Sequence, residues 1–87
     1  MITNKEIVLY GEEEGFVNSY PTLWDAYYGF KEIKEFNKKH NAPKDNYYWQ
    51  FEYTKDGVCF ERKIKFYVRK EKMYYRFIDW KYNLLII

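Results

Sequence analysis

From Tyr47 to Thr54 the chain alternates without a break. Tyr47, Trp49, Phe51 and Tyr53 fall on one side of an extended backbone, and Tyr48, Gln50, Glu52 and Thr54 on the other. The run reads as a strand with an aromatic face, because a helical period would scatter those rings around the axis. Asp56-Gly57 follows at once, and this dipeptide closes two-residue hairpins. Turning there pairs Lys55 with Val58, Tyr53 with Phe60, Phe51 with Arg62, Trp49 with Ile64 and Tyr47 with Phe66. Beyond Lys55 beside the turn, apolar side chains meet everywhere on that face except at Arg62. A second turn at Lys70-Glu71 pairs Val68 with Met73, Phe66 with Tyr75 and Ile64 with Phe77. It also sets Arg62 opposite Asp79, so the one cation on the aromatic face meets the one anion. A slip of one residue would turn the whole aromatic set to the wrong side. Arg62 and Asp79 are thus expected to form a buried pair that fixes register, with Arg62 stacked on Phe51. Asp79→Ala is expected to cost about 3–5 kcal/mol.

Upstream, Lys5 to Tyr10 and Phe16 to Tyr20 flank a Gly11-Glu-Glu-Glu-Gly15 loop and suggest an N-terminal hairpin. Thr22 is placed to cap a helix, and Asp25 adds an acid near its positive end. Leu23, Ala26, Tyr27, Phe30, Ile33 and Phe36 recur at three- and four-residue spacing, which predicts one buried stripe. Gly29 inside that helix costs about 1 kcal/mol relative to Ala, so close approach to the sheet is expected there. Lys38, Lys39 and His40 suit the negative helix end, Asn41 suits a left-handed cap, and Pro43 prevents continuation. Leu84 to Ile87 form an apolar tail, read either as a terminal strand beside the first one or as an interface to a partner or second copy.

The expected fold is therefore α+β: residues 1–87 as a single domain in ββαβββ order, an antiparallel sheet of about five strands with one α-helix packed on one face. Eighty-seven residues leave no room for a second core. Three Trp, eleven Tyr and seven Phe supply large buried areas to a thin sheet-plus-helix structure. A formal charge of +2 is too small to demand a polyanion. The single cysteine, Cys59, excludes an internal disulfide and fits a reducing compartment. No signal-peptide pattern or membrane-length apolar run is seen, so a cytoplasmic protein without membrane association is expected. Twelve Lys against three Arg, with abundant Tyr and Asn, suggest an AT-rich bacterial or phage genome.

Few residues could carry chemistry. Cys59 and His40 are too few for a zinc site, which needs about four ligands, and they are expected to do no more than pack or cap. Gly11 and Gly15 match no phosphate loop, and the glutamates between them repel phosphate. No catalytic residue, metal or cofactor is expected. The sheet face away from the helix is more informative. The same register gathers Tyr48, Lys63, Lys65, Tyr67, Tyr74, Arg76 and Trp80 there, with Lys65 opposite Arg76 and Tyr67 opposite Tyr74. Facing like charges are unfavourable unless something anionic sits between them, so these residues are the candidate partner site.

Three function classes stay open. The first is a non-enzymatic protein-binding module. In size and bulk composition the chain resembles the small inhibitors that phages and mobile elements direct at host or defence proteins, the anti-CRISPR type included, without sharing a motif with them. The second is a nucleic-acid-binding domain using the basic and aromatic residues of the open face. The third is a small ribonuclease toxin: the basic run from Arg62 to Arg76 is loosely similar to the hairpins of RelE-like toxins, although that family sets two helices before its sheet and this chain offers one.

Overall fold

The computed structural model describes residues 2–78. Strands β1 (Ile2–Gly11) and β2 (Gly15–Tyr20) form the N-terminal hairpin, a few residues longer than expected. Helix α1 (Leu23–Lys39) follows, then β3 (Tyr47–Lys55), β4 (Val58–Arg69) and β5 (Lys72–Phe77). The helix starts as its sequence implies. The Thr22 hydroxyl accepts the Asp25 N–H at 3.1 Å and donates to the Asp25 carboxylate at 2.9 Å. At the other end His40 is the cap residue, and Asn41 takes the left-handed conformation with φ 51°.

Both C-terminal hairpins have the expected register. Trp49 faces Ile64, Phe51 faces Arg62 and Tyr53 faces Phe60 across β3 and β4. Ile64 faces Phe77, Phe66 faces Tyr75 and Val68 faces Met73 across β4 and β5. Asp56 and Gly57 have φ of 51° and 80°, and Lys70 and Glu71 have 51° and 65°, so both turns place their two central residues in the left-handed region. Glycine adopts it freely, whereas Lys70 and Glu71 do so under strain.

The five strands lie in the order β2-β1-β3-β4-β5, and every neighbouring pair is antiparallel. The chain leaves β2, crosses β1 as helix α1 and re-enters the sheet as β3. This connection determines which strands the helix can cover. It lies over the β2–β1–β3 side, where Phe30 meets Tyr47 and Trp49 edge-on at 5.5 and 5.7 Å. Ile7, Ala26 and Ile64 form the buried centre, surrounded by Tyr20, Leu23, Trp49, Phe51 and Phe66. Gly29 is where helix and sheet approach most closely, since a Cβ there would run into the Tyr20 ring, 2.6 Å from its hydroxyl-bearing end. The propensity cost of glycine is thereby explained.

Three expectations need correction. Phe36 is not part of the buried stripe; it is 61% exposed and rests on His40 with ring centroids 4.2 Å apart. The next residue, Asn37, still reaches the Tyr47 hydroxyl at 2.9 Å, so helical phase alone does not decide which residues of the last turn are buried. Cys59 is exposed rather than packed, with its sulfur 3.8 Å from the Thr54 hydroxyl. The guanidinium of Arg62 sits 4.3 Å from the centre of the Phe77 ring, while Phe51 receives the Lys5 ammonium at 5.3 Å. Glu12, Glu13 and Glu14 are exposed, and the Asp45 carboxylate accepts the Glu13 and Glu14 N–H groups, each at 3.1 Å. Asp79, Trp80 and Leu84 to Ile87 lie outside the described residues. From Ile7 onward β1, the strand on which that tail was expected to pair, has β2 on one side and β3 on the other.

Candidate partner-binding surface

Alternation along each strand sends every second side chain to the face opposite α1. Antiparallel pairing then aligns these residues in rows that run across the sheet. The first row holds Tyr67 and Tyr74. The second runs from Phe16 on β2 to Tyr10 on β1, Tyr48 on β3, and then the register-aligned Lys65 and Arg76 on β4 and β5. The third contains Ser19, Val8, Gln50 and Lys63, and the fourth Glu6, Glu52 and Glu61. Rings and cations therefore occupy one end of the face and carboxylates the other.

The rings of this face engage one another. Tyr67 and Tyr74 stack at 5.5 Å with planes 20° apart, and Tyr10 and Tyr48 stack at 5.5 Å with planes 16° apart. Tyr48 also carries the Lys63 ammonium 4.8 Å from its ring centre, so two groups already compete for its π faces. Phe16 completes the row edge-on to Tyr10 at 6.2 Å and is 61% exposed.

Tyr10 links the two ends of the surface. Its hydroxyl donates to the Glu52 carboxylate at 2.5 Å, although Glu52 lies four residues along β3 from the Tyr48 it faces. That offset is about 13 Å of strand, so the phenol must lean along the sheet over the third row. Val8 is buried on this helix-free face, and the Gln50 side-chain oxygen is buried without a hydrogen-bond partner among the described residues. The hydrogen bond to Glu52, followed by desolvation and the Glu52 charge, pushes the Tyr10 phenol up to about 12.

No protein-family model matches the chain, and no curated protein or solved structure matches it either. The residues themselves therefore carry the functional argument.

Of the expected site residues, Tyr48, Lys63, Lys65, Tyr67, Tyr74 and Arg76 all fall on the one open face, and Trp80 lies outside the described residues. Lys65 and Arg76 are exposed, directly opposed, and have no hydrogen-bond or ion-pair partner among the described residues. Glu52 and Glu61 lie on this face as their hairpin register implies. Phe16, Tyr10 and Glu6 are additions that the sequence did not announce, because β1 brings them to β3 through a pairing that spans some forty residues and has no local turn. Among the described residues no group of three or more His, Cys, Asp or Glu is placed to hold a metal ion, and no helix is long and apolar enough to cross a membrane.

A second surface follows from the topology. Ile64 of β4 joins Ala26 in the buried centre, but among the described residues no helix covers the helix-side rings farther out on β4 and β5. Phe60, Tyr75 and Phe77 there are 37%, 49% and 37% exposed. Their rings still associate: Phe60 stacks on Tyr53 at 5.3 Å, Tyr75 on Phe51 at 6.3 Å, and Phe77 meets Tyr75 edge-on at 5.9 Å.

Proposed function

We propose that this chain is a non-enzymatic protein-binding module whose open sheet face docks an acidic surface of another protein. The observation that carries the reading is the Lys65–Arg76 pair, two exposed cations set face to face between stacked tyrosine pairs. Such an arrangement is disfavoured in the free protein and is relieved by a carboxylate placed between the strands. Tyrosine and arginine are also the residues that anchor protein interfaces, since they combine a large apolar body with a polar tip. The acidic row beyond them would repel a uniformly negative partner at that end and so orient the docked surface.

The same geometry weighs against a single-stranded nucleic acid. Base-stacking platforms need free ring faces, whereas Tyr48 lies between Tyr10 and Lys63, and Tyr67 and Tyr74 turn faces toward each other. A small inhibitor acting by occlusion is one setting in which such a module would work.

The test is affinity capture with the wild-type chain and with Lys65→Glu/Arg76→Glu as paired baits. The expected result is a stoichiometric protein of acidic surface, retained at low salt, released as salt rises, and lost from the charge-reversed bait. Retention of that partner by the reversed bait would remove the open face from the account. Salt-sensitive binding of oligo-dT with no protein captured would move the chain to the nucleic-acid class.

A further inference from the structure

The helix side of the molecule contains a cleft of about 550 Å3 between the C-terminal half of α1 and the 41–46 loop. That size falls within the range of small-ligand sites. Its apolar surface comes from Phe30 and Tyr47, whose rings meet edge-on at 5.5 Å, and from Pro43 in the loop. Lys34, Lys38 and Lys44 line it, with the Lys34 ammonium held 4.9 Å from the centre of the Phe30 ring.

The one carboxylate among the lining residues is already engaged. Asp45 accepts N–H groups from Glu13, Glu14 and Asn46 at 3.1, 3.1 and 2.8 Å, and these bonds hold its carboxyl below the usual carboxylate range. The negative end of α1 is blunted as well. The Phe36, Asn37 and Lys38 carbonyls accept from His40, Ala42 and Asn41. Glu13 and Glu14 line only the adjoining recess, where the Tyr47 hydroxyl, itself accepting from Asn37 at 2.9 Å, donates to Glu14 at 3.4 Å. An anion entering the cleft is thus drawn towards Lys34 and Lys38 and repelled by the glutamates of the recess, which Lys44 lines as well, while Phe30 and Tyr47 supply aromatic surface.

We propose that this cleft binds a small aromatic anion, its ring against Phe30 and Tyr47 and its acidic group among Lys34, Lys38 and Lys44. The site is independent of the open face, which lies on the other side of the sheet.

Indole-3-acetate is a suitable probe, with tryptamine as the control that keeps the ring and reverses the charge. Titration followed by amide chemical shifts is expected to saturate at the Asn37 side-chain amide and the Tyr47 backbone amide. Tryptamine and the exposed double variant Lys34→Glu/Lys38→Glu are each expected to bind about ten-fold more weakly. Ala42→Trp, which fills the cleft from the loop, is expected to abolish the shifts. The Lys variant keeps the test sharp should Ala42→Trp perturb the loop. Failure to saturate, equal binding of tryptamine, or shifts centred on Phe60 and Tyr75 would overturn the assignment.

Discussion

Tyr10 shows how much one side chain can organise on a sheet face that no helix covers. Its ring stacks on Tyr48, and its hydroxyl reaches Glu52, four residues farther along β3. Tyr10→Phe removes the hydroxyl that donates to the Glu52 carboxylate and is expected to cost about 1 kcal/mol in chemical denaturation. The pH dependence has a definite sign. The folded phenol holds its proton to about 12, whereas the unfolded one releases it near its ordinary value of 10.0. Its contribution is complete below pH 10 and is lost as pH rises through the folded value. Between those limits the wild type should lose melting temperature more steeply than Tyr10→Phe, and alkaline absorbance titration should show one tyrosine fewer titrating late in the variant. The role of Tyr10 could not be read from its neighbours in the chain, because both of its contacts on β3 come through a long-range ladder.

At the level of elements, the two C-terminal hairpins were readable because each part of the sequence specifies the same register. Ring alternation, the Asp56-Gly57 turn and the Phe66–Tyr75 pairing agree, and the observed ladders match. Helix α1 was readable in its cap and in Gly29, but Phe36 shows the limit of periodicity. A stripe predicts which side of a helix is apolar, while tertiary packing decides which residues of that side are buried. Two substitutions test these elements. Gly29→Val drives a branched side chain into the Tyr20 ring and should lower stability by about 2 kcal/mol. Lys70→Asn/Glu71→Gly puts residues that tolerate positive φ where the backbone already demands it, and should raise stability by about 1 kcal/mol or more, with register unchanged by amide nuclear Overhauser contacts.

At the scale of the whole molecule, the helix is paired with only part of its sheet. Connecting β2 to β3 across β1 sets α1 over that side, so the outer parts of β4 and β5 carry exposed aromatic side chains with no helix above them among the described residues. Core and uncovered positions should therefore respond differently. Trp49 touches Tyr20, Phe30 and Phe66, and Trp49→Ala should cost about 3–5 kcal/mol. Phe60→Ser/Tyr75→Ser should lower the fluorescence of a bound naphthalene sulfonate dye while shifting the denaturation midpoint far less. The order of the strands also implies a gradient in how readily the backbone opens. β1 is flanked on both sides and roofed by a helix, whereas β5 pairs with one neighbour at the rim among the described residues. Deuterium should thus enter the outer hairpin first and reach the amides shared by β1 and β3 last, so that this small protein comes apart from its rim inward.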